Sequence, residues 1–141
     1  MTGLERGKAL LEKQEFEKAI TVLNTFLAEA KNNADALYTR AICYRKIEKY
    51  DESVSDLTAI LTRLPNEPTL LCDRGISHFK NKNIDAALAD MNKAVELDPN
   101  NPFRYSSRAY IRSRSDINGA MEDYEKAIAL DPKDEISLNN L

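Results

Sequence analysis

Residues 85–102, DAALADMNKAVELDPNNP, carry an apolar stripe of helical period that ends at a proline-bounded turn. With Ile84 ahead of it the stripe reads Ile84, Leu88, Met91 and Val95, at i, i+4, i+7 and i+11. That is the spacing of one helix face and not of a strand. The segment DPNNP then combines a stop with a restart. The same stretch returns downstream as GAMEDYEKAIALDPKD, residues 119–134. Upstream, Tyr50, Val54, Leu57 and Leu61 keep its spacing with less of its wording.

Outward from this stretch the landmarks recur at one constant interval, at Gly7, Ala41, Gly75 and Ala109. A small residue follows each of the first three by twelve positions, at Ala19, Ser53 and Ala87, and comes one residue early at Ala120. Leu23, Leu57, Met91 and Tyr124 come next, then Phe26, Ile60, Ala94 and Ala127. Pro65, Pro99 and Pro132 close the last three copies, and Lys31 stands at that place in the first. A one-residue deletion near 112–115 accounts for every early landmark of the fourth copy. A fixed period of about 34 residues means stacked helical repeats, because a single repeat cannot bury its own apolar face.

Each copy splits at EKQE, KIEKYD, KNKNID or RSRSDI, and LPNEP, DPNNP and DPKDE separate the copies. The pattern predicts helix pairs near 2–13 and 16–29, 35–46 and 50–63, 69–80 and 84–96, and 103–113 and 117–129. A ninth helical segment is expected after Asp134, read as its N-cap. The recurring Gly, Ala and Ser residues let the two backbones of a pair approach to the short end of the usual helix spacing. Phe16, Tyr50, Ile84 and Ile117 are expected to wedge between each pair and its neighbour. A polar ladder accompanies them: Arg6, Arg40, Arg74 and Arg108 repeat, and Asp56, Asp90 and Asp123 follow the last three. The step from Arg to Asp is the same in the second and third copies and one place shorter in the fourth, as the deletion requires. Each Asp is expected to pair with an Arg on an adjacent first helix, a structural role, since a row of Arg meant for anions would not bring its own carboxylates.

Composition narrows the functions. With 43% hydrophobic and 30% charged residues, the chain reads as soluble and globular rather than disordered. A net charge of −3 argues against a surface built to neutralise phosphates, so no nucleic-acid partner is expected. No apolar run approaches the roughly 20 residues that span a bilayer, and the start MTGLERGKALLEKQ lacks a signal peptide's apolar region. Cys43 and Cys72 have neither CxxC nor zinc spacing and read as reduced, packed thiols, which points to the cytoplasm. His78 is the single histidine, so no histidine-based metal site can form. GxSxG, HExxH, GxGxxG and Walker patterns are absent from the sequence. Neither a cofactor nor enzyme activity is expected.

The landmarks resemble those of the tetratricopeptide repeat family: small residues in the first helix, then Ala, an aromatic or large apolar residue, Ala and Pro. The resemblance covers the whole chain, with repeats at about 1–33, 34–67, 68–101 and 102–134 and a capping or fifth-pair segment at 135–141. The leading aromatic of the pattern is Leu37, Leu71 and Tyr105 in copies two to four and Gly3 in copy one, which departs furthest. The resemblance implies an all-α fold, a right-handed α-solenoid of four helix hairpins plus a short C-terminal stub. It also implies that the first helices line a concave groove for a peptide or a partner's helix.

By register with that family, the inward positions fall on Leu4, Lys8 and Leu11; on Tyr38, Ile42, Arg45 and Lys46; on Cys72, Ile76, Phe79 and Lys80; and on Phe103, Tyr110 and Arg114. This is an apolar and aromatic floor with a basic edge, suited to a protein or peptide with apolar anchors and some carboxylates. Family members that hold the C-terminal carboxylate of cytosolic chaperones use two Lys, two Asn and an Arg. The matching places here are Leu4, Lys8, Thr39, Thr69 and Asp73, and Asp73 would repel the carboxylate that Arg should attract. The expected function is an interaction adaptor. The alternative is self-association into a homo-oligomer, or one segment of a longer solenoid. The stretch Glu135–Leu141 supports that alternative, because it reads like the opening of a further first helix.

Overall fold

The computed structural model describes residues 1–133 and 135–140, the side chains of 135–137 excepted. Among the described residues every regular element is an α-helix: α1 Gly3–Glu12, α2 Phe16–Glu29, α3 Ala34–Lys46, α4 Tyr50–Arg63, α5 Pro68–Lys80, α6 Ile84–Leu97, α7 Pro102–Arg112, α8 Ile117–Leu130 and α9 Glu135–Asn140. The starts follow from local chemistry. Thr2, Asn33, Asn83, Asn101 and Asp116 each accept a backbone N–H of the helix they cap, and Pro68 and Pro102 open α5 and α7. The expected N-cap Asp134 lies outside the described residues.

Three of the hairpin turns share one backbone solution. Gln14, Glu48 and Lys82 have φ of 61°, 64° and 67°, the left-handed conformation that ends a helix in a Schellman motif. The residue after each donates its N–H five places back, Glu15 to Leu10, Lys49 to Tyr44 and Asn83 to His78. The fourth hairpin has a shorter first helix, 11 residues against 13 in α3 and α5, and its turn closes differently, with the Asp116 N–H donated to the Arg112 carbonyl. No residue there has positive φ. The deletion read from the sequence thus falls at the end of α7, which stops two residues early, and the turn that follows has no left-handed residue.

The chain forms two compact units, Met1–Pro65 and Asn66–Leu141. In the first, α1 packs on α2 and α3 on α4, while α3 also packs on α2 and α1. Ala19, Ile20 and Cys43 centre one core cluster, with Leu10, Leu11, Phe16, Tyr44 and Ile47 around it. In the second, α5 pairs with α6 and α7 with α8, α7 rests on α6 and α5, and α9 lies on α8. Leu71, Met91 and Ile111 fill its interior, and Ala109, Ala120 and Tyr124 form a further cluster.

The small landmark residues sit where helices cross. A Cβ on Gly7 would stand 2.6 Å from Leu23 Cδ2, and one on Gly75 would stand 3.0 Å from Met91 Cε and 3.3 Å from the Ala87 carbonyl. Of the four expected wedges, Phe16 packs against the first unit's cluster, and Tyr50 and Ile84 are half-buried. Ile117 does not wedge. It is 68% exposed on the first turn of α8, with Met121 one turn further along the same face.

Candidate functional site

The polar ladder separates structural charge from charge available to a partner. Arg40 Nε and Nη2 donate to Asp56 at 2.8 and 2.7 Å, and Arg74 grips Asp90 in the same fork at 2.8 and 2.7 Å. Arg108 does so with Asp123 at 2.9 and 2.7 Å. All three pairs are formed within a hairpin, first helix to second, and their carboxylates are buried. The hydrogen bonds each guanidinium donates to its Asp, against the cost of burial, hold the three guanidinium pKa values above the ordinary one. Bonds to the preceding hairpin accompany these pairs: Arg40 Nη1 donates to Asn24 at 2.8 Å and Arg108 Nη1 to Asn92 at 3.2 Å. Arg6 has the register of the ladder but faces Val22 where the others have Asp. It makes no ion pair among the described residues and lines an open cleft with Gly3 and Phe26.

Two further Arg roles were not legible in the repeat. Arg112 Nη1 donates to Asp123 at 3.1 Å, a second cation on one carboxylate. Arg104 donates through Nε to Asp98 at 3.0 Å, through Nη2 to Thr69 at 3.0 Å and through Nη1 to Cys72 Sγ at 3.6 Å. Neither residue recurs at the repeat interval, so periodicity gave no signal for them.

In the first unit, the residues expected to face inward occupy α1 and α3. Leu4, Leu11, Tyr38, Ile42 and Arg45 are half-buried, and Lys8 and Lys46 are exposed. Leu11 belongs to the rim of the core cluster. Lys8 is ion-paired with Asp35 at the start of α3, which removes it from the free basic edge.

The second unit brings its residues together most closely. Ile76 and Lys80 of α5, Phe103, Ser106, Ser107 and Tyr110 of α7, Tyr124 of α8 and Asn140 of α9 line a cleft of about 360 Å³. Phe103 is 62% and Tyr110 47% exposed, large aromatic areas left open to water. Phe79 meets Tyr110 edge to face with ring centroids 5.4 Å apart, which fixes the orientation of the tyrosine ring. Lys80, the last residue of α5, makes no ion pair among the described residues, and the described lining contains no carboxylate. Cys72 corrects the register: it is 5% exposed, beneath Arg104, and contributes no groove surface. Arg114 lies past the end of α7, exposed in the turn to α8. Ser106, Ser107, Tyr124 and Asn140 were not anticipated. The serines lie on the α7 face between Phe103 and Tyr110, and in sequence α9 reads as a cap or as the start of a further pair, not as a cleft wall.

Burial also sets the remaining shifted groups of the core. Burial pushes the Cys43 thiol up to about 11. It also raises Cys72, against the pull of Arg104. Burial lowers His78, whose Nε2 stands 3.9 Å from Asp90. No group of three or more His, Cys, Asp and Glu side chains is placed to hold a metal ion among the described residues. No described helix is long and apolar enough to cross a membrane.

Helix hairpins repeated at a fixed interval, with small residues at the crossings and exposed aromatics on the first helices, define a helical-repeat interaction protein. Tetratricopeptide repeat models match residues 4–68, 68–101 and 107–134, and the chain belongs to the tetratricopeptide repeat family. No curated protein matches the sequence. Among solved structures, MamA 41-end from Desulfovibrio magneticus RS-1 is similar over 94% of this chain and 76% of its own, with TM-score 0.87 and 22% identity. A tetratricopeptide repeat protein from Parabacteroides merdae is similar over 97% of this chain and 54% of its own, with TM-score 0.88 and 18% identity. The first tetratricopeptide domain of Spaghetti (RPAP3), bound to the HSP90 peptide SRMEEVD, is 30% identical over 77% of this chain and 86% of its own, with TM-score 0.70. The fold class is therefore the all-α, hairpin-repeat solenoid of this family.

Proposed function

We propose that the protein is a non-catalytic adaptor that captures a peptide segment of another protein on its first helices. The open aromatic floor of the second unit carries this reading, because Phe103 and Tyr110 leave large apolar areas in water beside Lys80, which makes no ion pair among the described residues. Rigid aromatics give contact area at low entropic cost, and a lone cation adds selectivity for carboxylates. The peptide-bound Spaghetti domain, at 30% identity, supports a peptide ligand. The side chains argue for a ligand other than a chaperone tail. Lys8 is engaged by Asp35, the Thr69 hydroxyl accepts from Arg104, and Asp73 adds a negative charge. Two buried, protonated thiols suit a reducing compartment such as the cytoplasm.

A peptide array probed with the labelled protein tests the reading. Charge reversal of Arg45, Lys46 and Lys80 together should abolish capture of the peptides bound by the parent, and unchanged capture would refute it. A second reading, self-association, draws on Ile117 and Met121, two large apolar side chains exposed one turn apart on α8. Light scattering across a concentration series separates the two, since a constant monomer mass removes self-association.

A further inference from the structure

The cleft of the second unit has a polarity along its length, and that polarity selects a ligand. Its lining descends α7 from Phe103 in the first turn, past Ser106 and Ser107, to Tyr110, with Ile76 beside Tyr110 in repeat register and Lys80 one further turn along α5. Phe103 holds the second place of its repeat and Lys80 the thirteenth, so eleven helical steps separate them along the parallel first helices. At about 1.5 Å per residue this is roughly 16 Å, which an extended peptide covers in about five residues. One end of the cleft is therefore aromatic and open, serines line the middle, and the far end offers a cation with no carboxylate among the described lining residues.

Resting on the adaptor reading above, the geometry points to an extended peptide whose apolar side chain seats on Phe103 and whose carboxylate, about five residues away, meets Lys80. The second unit holds both ends of this site, so the first unit is not required for the preference. Lys80 is exposed and Phe103 largely so, and neither supports the core. Their variants are therefore expected to fold.

The test uses fluorescence anisotropy on the full chain with labelled, amidated hexapeptides of leucine, four glycine and serine residues, and a final aspartate. One control ends in lysine, and a second moves the aspartate next but one to the leucine. The parent should prefer the aspartate peptide over the lysine peptide by about tenfold, an effect that shrinks as salt rises. Lys80→Glu should reverse that order, Phe103→Ser should weaken both peptides alike, and Lys31→Glu, exposed in the first unit and outside the groove set, should leave the order intact. An order unmoved by Lys80→Glu, or equal binding of the short-spaced peptide, overturns the inference while array capture still supports an adaptor. Failure of every peptide, on the array and in solution, overturns both.

Discussion

Replacing Asp90 by Asn tests how the hairpins are held. The carboxylate accepts two hydrogen bonds from Arg74, at 2.8 and 2.7 Å, with 8% of its side chain and 22% of the arginine's exposed. Asn keeps the shape but removes the charge and turns an amide N–H toward the guanidinium, leaving a buried cation with half a partner. Breaking a dry pair costs about 3–5 kcal/mol. Because a fifth of Arg74 reaches water, we expect about 2–3 kcal/mol after that discount. For a chain of this length the melting temperature should fall by roughly 10 °C. The isosteric control is Asp85→Asn on the exposed first turn of α6, where only a few tenths of a kcal/mol of helix-dipole interaction is at stake. Urea denaturation and calorimetry on both variants decide the matter. An Asp90→Asn loss no larger than the Asp85→Asn loss would refute the reasoning. The apolar double variant Arg74→Met with Asp90→Leu should cost less than either single change, because no orphaned charge remains.

Four further outcomes are expected. Gly7→Ala should destabilise by about 1 kcal/mol, since its methyl would meet the fully buried Leu23 at 2.6 Å, whereas Gly75→Ala, whose nearest neighbour is the flexible end of Met91, should be nearly neutral; Gly75→Leu should cost about 1–3 kcal/mol in the same denaturation assay. Glu48→Gly should raise stability by about 1 kcal/mol, measured as a higher urea midpoint, because φ there is 64°. Cys43 should resist thiol reagents at neutral pH until the chain unfolds, its thiol being held at about 11 by burial, and rapid labelling of native protein would contradict this. His78 has a folded pKa below its ordinary 6.5, so its contribution is present above that pH and lost as pH falls through the folded value; His78→Phe should flatten the decline in stability between pH 7 and 5.

The helices were legible because their signals are local and repeated. The apolar period, proline restarts and small crossing residues placed the elements within one or two residues, and the recurring step from Arg to Asp marked the hairpin ion pairs. What did not repeat stayed hidden. Cys72 sits at an inward register, yet Arg104 lies over it, and Arg104 has no counterpart at the matching place of the other copies. Lys8 looks free in sequence because Asp35 is 27 residues distant and follows no periodic rule. Arg114 and Ile117 are exposed where α7 stops two residues early and a four-residue turn leads into α8. The cleft's serines and Asn140 depend on three-dimensional packing of α7 and α9 that register alone does not convey.

Arg40 and Arg108 each serve two hairpins at once, holding the Asp of their own and the Asn of the one before. A hairpin that opens therefore strips a hydrogen-bond acceptor from the arginine next door and weakens that neighbour's grip on its own carboxylate. Fraying at one hairpin lowers the barrier to melting the next, so that adjacent pairs share a fate although their apolar interiors are separately filled.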